Sequence, residues 1–167
     1  MAYSRSNNIF PYFKAGRNSD ILLSTNSGVG AAAGFPFNAI SISGGGGVGY
    51  STSTYEYTVP VTGLYLFTAN LNMENQSAIG DDSVDWGFNV TTSSGSYTYY
   101  STIINPGFWS ETSVRWSMTL TKIIKMDAGH KIKVYMSNKD GEERYFGAAE
   151  NLDFNFFYGF LISAEFG

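Results

Sequence analysis

The chain is 167 residues long, carries a formal net charge of −4, and contains no cysteine and one histidine. Aromatic residues make up 17% of it and charged residues 14%, where a typical soluble domain has about 25% charged. These counts exclude disulfides, thiolate metal sites and a cysteine nucleophile. With no basic cluster they also leave nucleic acid without an electrostatic partner.

A domain of this length buries roughly 70% of the surface its unfolded chain exposes, so a full core is expected without staples. No apolar run approaches the roughly 18 residues of a membrane-spanning helix, and no membrane insertion is expected. Met1 to Lys14 lack the basic-then-apolar order of a signal peptide. The chain is therefore expected to be made in the cytoplasm and to reach a virion or other extracellular particle surface by assembly or lysis. Abundant Gly, Ser, Thr, Asn and Tyr disfavour helix and favour strands joined by tight turns.

Residues 1–34 read as an N-terminal arm and hinge. Asn7-Asn8, Gly16, Asn18-Ser19 and the stretch Ser24 to Gly34 are loop material. Ile9, Phe10, Tyr12 and Phe13, with Ile21-Leu22-Leu23 behind them, are the apolar anchor points by which such an arm would dock on a larger scaffold. Residues 35–167 read as the folded domain. Phe37 to Ser43 is a strand that ends in Gly44-Gly45-Gly46-Gly47. Tyr55, Tyr57 and Val59 alternate with polar residues up to Pro60. Leu64 to Met73 puts Tyr65, Phe67, Ala69, Leu71 and Met73 on one side.

Trp86, Phe88 and Val90 form the next period-two set, followed by the turn Ser93-Ser94-Gly95. Tyr97 to Ile104 is apolar on both faces and stops at Asn105-Pro106-Gly107. Val114, Trp116, Met118 and Leu120 alternate with Arg115, Ser117 and Thr119. After Asp127-Ala128-Gly129 come Ile132, Val134 and Met136. Lys122, Lys125, Lys131 and Lys133 alternate with apolar residues and read as a solvated strand face. Asn138 to Gly141 is a turn, and Phe154 to Ile162 is again apolar on both faces. About ten short antiparallel strands at this spacing specify an all-β sandwich or jelly roll.

Three stretches narrow that choice. Tyr55-Glu56-Tyr57-Thr58-Val59-Pro60-Val61-Thr62-Gly63-Leu64-Tyr65-Leu66-Phe67 resembles the signature of the C1q globular-head family, in which a strand runs into P-x-x-G-x-Y-x-F. Leu120 through Asp127-Ala128-Gly129 to Val134 is similar to that family's strand, Gly turn and strand. Phe156-Phe157-Tyr158-Gly159-Phe160-Leu161 resembles its terminal strand. The resemblance covers roughly residues 35–166. It implies a C1q/TNF-like jelly roll that assembles as a compact homotrimer, three copies packing strand faces about an axis. No Gly-X-Y collagen stalk is present, and His130 stands where the family often has an acidic residue.

The motif has a physical logic of its own. Pro60 cannot donate to a ladder and ends a strand, Gly63 permits the reversal, and Tyr65 and Phe67 then point together between the sheets. The two-faced strands supply the expected interface or core residues Tyr97, Tyr99, Phe156, Tyr158 and Phe160, whose excess aromatic area must be buried somewhere.

Catalytic chemistry leaves little trace. His130 is the lone histidine and sits in a turn beside Lys131; Gly44–Gly47 lacks the Lys-Ser/Thr of a phosphate loop. Asp81, Asp82 and Asp85 form the densest acidic group. They are hard-oxygen donors suited to Ca²⁺, the only cofactor to consider, although their spacing is not that of an EF-hand; solvated turn acids are the plainer reading. Three functions remain: an enzyme on a jelly roll, which would have to work through His130, and two readings without catalysis. One is a non-enzymatic structural or adhesion protein, attached through its arm to a capsid or fibre base as a phage virion decoration, fibre or spike component. The other is a soluble recognition module that binds a glycan or receptor through loops, with Tyr99, Tyr100, Phe108 and Trp109 as stacking surface.

Overall fold

The period-two pattern is realised strand by strand. The computed structural model describes residues 10–23, 34–44, 49–75, 83–104, 114–138, 144–146 and 154–164. Twelve strands occur among them: β1 (Tyr12–Gly16), β2 (Ile21–Leu23), β3 (Ala39–Gly44), β4 (Tyr50–Ser51), β5 (Glu56–Thr58), β6 (Gly63–Asn75), β7 (Ser83–Thr92), β8 (Gly95–Ile104), β9 (Val114–Met126), β10 (Lys131–Asn138), β11 (Arg144–Phe146) and β12 (Phe156–Ala164). The strands beyond the expected ten or so are short ones such as β2, β4 and β11, too brief to show a period.

All pairings are antiparallel and build two sheets. The front sheet runs β3-β1-β12-β6-β9, and β11 and β2 continue past β12 along the same edge of β6. The back sheet runs β4-β5-β10-β7-β8. This is an all-β jelly-roll sandwich with no helix among the described residues.

The inner faces meet through aromatic rings. Phe157 sits at their centre, with ring centroids 4.9 Å from Phe13, 6.1 Å from Phe37, Tyr50 and Phe67, and 5.7 Å from Phe88. Burying each such side chain stabilises the fold by about 1.5–3 kcal/mol. Gly159 makes the crowding possible. A Cβ there would stand 2.5 Å from the Phe67 ring and 2.9 Å from Phe13. Tyr65 is fully buried as expected, and its hydroxyl donates to the Val61 carbonyl at 2.6 Å, closing the Pro60–Gly63 turn.

The structure departs from the arm expected over residues 1–34. Tyr12 to Gly16 form a central strand of the front sheet, paired with β12 on one side and β3 on the other. Phe13 is 1% exposed and stacks on Tyr57 at 4.1 Å, so this ring is core and is not available to an external scaffold. The reason is local alternation: Phe13 and Ala15 point inward while Tyr12 and Lys14 point out, a full strand signal in only four residues. Arg17 then anchors the connection. Its guanidinium donates to the carbonyls of Pro36 at 2.6 Å and Asp20 at 3.0 Å. Burial lowers its pKa from the ordinary value, with the tyrosine at 55 and Asp20 pulling the other way. Ile9 lies outside the described residues, and Phe10 is exposed.

The lysine face also needs correcting. Lys133 is 6% exposed because Gly34 and Phe35 cross its stem; the Phe35 amide donates to the Val134 carbonyl at 2.6 Å. Its ammonium lies 3.7 Å from Glu56, which also meets Lys131 at 3.4 Å. Lys122 stands opposite Phe67, on the inward side of β9 between Leu120 and Ile124, yet is exposed at the sandwich's open flank.

Candidate functional site

Alternation along β12 sends Phe157 and Gly159 into the core and Phe156, Tyr158 and Phe160 outward onto the front face. On the neighbouring strands Tyr12, Lys14 and Ile42 share that face. Together these side chains line a shallow groove of about 290 Å³. The Phe156 and Tyr158 rings stack at 5.7 Å and 21°, and the Lys14 ammonium sits 5.5 Å above Phe156. Tyr12 lies flat over Gly44, where a Cβ would come within 2.6–2.9 Å of its ring. Tyr12, Ile42 and Phe160 are 43%, 55% and 41% exposed, so the outer face carries a continuous apolar ridge of the kind that marks contact surfaces.

Beyond β12 the same face turns hydroxyl-rich. The Asn70 amide donates to the Phe154 carbonyl at 2.6 Å, and its oxygen accepts from Ser117 at 2.9 Å and Thr119 at 2.7 Å. Thr68 and Thr121 hydroxyls meet at 3.0 Å. The ladder is neutral, and its polar atoms are satisfied by each other.

A second unusual surface is the flank between β8 and β9. Ring contacts between β1 and β4 (Phe13–Tyr50, 5.7 Å) and between β6 and β7 (Phe67–Phe88, 6.3 Å) set the two sheets in register, which leaves β9 facing β8. Tyr97 is the register partner of Val90 and so lies on the inward side of the back sheet. Val90 is 2% exposed, yet Tyr97 is 50% exposed. Nothing within the described chain closes the sandwich there. Hydrogen bonding with the Thr92 and Ser94 side chains lowers the pKa of the Tyr97 hydroxyl.

The lone histidine belongs to a third region, a polar cleft of about 490 Å³ between residues 91–93 and 127–131. The Asp127 amide donates to His130 Nδ1 at 3.2 Å, and Nε2 faces the Asp127 carboxylate at 3.7 Å. Nδ1 is thus taken up within its own turn, which the Ala128 amide ties to Thr62 Oγ1 at 3.0 Å. The nearby hydroxyls are spent on the β7–β8 hairpin: Thr91 meets Ser96, and Thr92 donates to the Gly95 carbonyl.

The expected site residues fall as follows. Phe156, Tyr158 and Phe160 come together in the groove, joined by Tyr12; Tyr97 stands apart on the open flank. Tyr99 is part of β8, opposite Phe88. Asp85 is half-buried within β7, opposite Ser137 and Thr102, so it is a strand residue and not a turn acid. Asp81, Asp82, Phe108 and Trp109 lie outside the described residues. Among the described residues no three acidic or histidine side chains gather as a metal site would require. Sequence reasoning missed Lys14 and Ile42 as groove residues, because only the placement of β1 beside β12 brings them there.

No protein-family profile and no curated protein sequence matches the chain. Solved structures do. The globular domain of zebrafish complement 1qA protein is similar over 93% of this chain and 99% of its own, with a TM-score of 0.57 at 16% identity. The Eiger TNF of S. frugiperda is similar over 95% of each chain, with a TM-score of 0.63 at 12% identity. The fold is that of the C1q and TNF jelly rolls.

Proposed function

We propose that this chain is a non-enzymatic assembly module, a homotrimer in which the front-face groove of each copy receives the open β8–β9 flank of the next. The observation that carries this reading is the pair of unlike apolar surfaces. Tyr97 is directed inward by register but is half-exposed, while the Tyr12–Phe160 ridge is directed outward with none of the described residues covering it. Unlike surfaces that fit one another make a head-to-tail contact, and such contacts close into rings when the rotation allows. The number three comes from the C1q/TNF resemblance. Each surface carries one lysine, Lys14 in the groove and Lys122 on the flank, and long lysine stems can lie along apolar surface while their ammonium groups stay in water.

Within this class, display on a particle surface, as in a virion decoration or fibre domain, is the setting we favour; the 14% charged content supports self-packing over free diffusion. The test of assembly is light scattering on the full chain. Three times the chain mass is expected, with Phe160→Asp and Tyr97→Ser each lowering it toward one chain while the circular dichroism stays unchanged. A wild-type monomer would overturn the reading and leave the Phe156–Tyr158 stack as a ligand surface for a recognition module.

A further inference from the structure

The groove and the flank each bring a cation to their contact, and neither brings an acid. Of the described residues lining the groove, Lys14 alone is charged, and its ammonium stands 5.5 Å above the Phe156 ring. On the flank, β8 carries no charge, and β9 holds Arg115, Lys122 and Lys125 but neither Asp nor Glu. Arg115 stands in register with Glu74 at the far end of β9. Lys122 is the exposed cation on the inward side of that strand.

The two lysines also share a level along the strands. The row through Lys122 crosses the sheet by way of Phe67, Gly159 and Phe13, and Lys14 is the residue after Phe13. Rotation about an axis that runs along the strands preserves level. In a ring so built, Lys122 of one copy arrives at the groove at the height of the next copy's Lys14. Like charges set against each other across a contact oppose it.

We infer that the contact between copies is a binding site for a multivalent oxyanion, a phosphate or a polycarboxylate, held between Lys14 of one copy and Lys122 of the next. The inference rests on the ring proposed above, and the site is incomplete in a single chain. Such an anion gives each ammonium a charge-assisted hydrogen bond. The phenols of Tyr12 and Tyr158, which line the same groove, are further donors. A bridging anion turns a repulsive pair into an attractive one, so the supply of anion sets how far the ring closes.

The experiment is sedimentation equilibrium of the full chain in chloride, and in chloride with about 10 mM phosphate or citrate at matched ionic strength, so that screening is equal. Either oxyanion should raise the association constant of the trimer about tenfold, each contact gaining a few-fold from its new ion pairs. Lys14→Gln and Lys122→Gln should each assemble more tightly than wild type in chloride alone, and neither should respond to the oxyanions. A response to only one of the two anions supports the site and names its ligand. Oxyanions that act by strengthening apolar burial would raise assembly in both variants as much as in wild type, and that result overturns the site. A wild-type trimer indifferent to both oxyanions also overturns it and leaves the ring standing. A chain that stays monomeric in every buffer overturns the ring itself, and the site with it.

Discussion

The two sheets share one aromatic core and present opposite characters to solvent. The outer face of the back sheet is charged and internally paired, with Glu56 between Lys131 and Lys133. The outer face of the front sheet carries Tyr12, Ile42, Phe156, Tyr158 and Phe160, and beyond them a neutral hydroxyl ladder. Both faces obey the same alternation, so the contrast is not a matter of secondary structure. A face that pairs its own charges is finished as a monomer surface. A face that spends its positions on half-exposed rings is complete only when covered.

That contrast can be broken in order of expected effect. The largest concerns the core the two sheets share. Phe157→Ala removes the ring that contacts five others and should lower stability by about 4 kcal/mol, read as the midpoint and slope of urea unfolding. A loss below about 1 kcal/mol would mean the sheets are not held through this ring.

Next comes the back face. Glu56→Ala takes the carboxylate away from the buried Lys133 ammonium and should cost about 2 kcal/mol, less than a fully buried pair because Glu56 keeps 16% exposure. Adding Lys133→Met should recover most of that loss, whereas Lys131→Ala alone, at a half-exposed partner, should stay within about 0.5 kcal/mol. Equal losses for Lys131→Ala and Glu56→Ala would show that burial of Lys133 does not matter.

The effect that is smallest at neutral pH belongs to two buried phenols and grows only in alkali. Burial raises the pKa of Tyr50 and of Tyr57 above the ordinary 10. Among the described residues the Tyr57 hydroxyl has no hydrogen-bond partner, and that of Tyr50 approaches the Phe37 backbone without good geometry. In the unfolded chain these phenols lose their protons near pH 10, while in the fold they keep them. The unfolded state therefore binds fewer protons above that pH, and stability is fully present below it and falls as pH rises. The slope is up to about 1.4 kcal/mol per pH unit for each tyrosine. Tyr57→Phe should flatten the fall above pH 10 and be neutral or slightly stabilising at pH 7. A pH profile identical to wild type would place that hydroxyl in contact with water.

Much of the fold was legible. Long alternating runs such as Leu64 to Met73 became β6, and the turns at Gly63, Gly95 and Gly129 lie where Gly and Pro announced them; Gly95 and Gly129 take positive φ. The short strand β1 was not legible. Four alternating residues inside a polar stretch look the same whether they float as an arm or fill the gap between β3 and β12. The groove was half legible for the same reason: Phe156, Tyr158 and Phe160 announce a two-faced strand, but Lys14 and Ile42 join them only through pairing across the sheet.

What the sequence determined by itself was local: period-two alternation, turn chemistry, and the order of strands that marks a jelly roll. Tertiary structure alone decided which alternate residues face the core, because a strand's two faces are equivalent until a second sheet covers one of them. It buried Lys133, exposed Tyr97, and turned an apparent anchor, Phe13, into core. Each outcome depends on what lies above the side chain, contributed by residues far away in sequence.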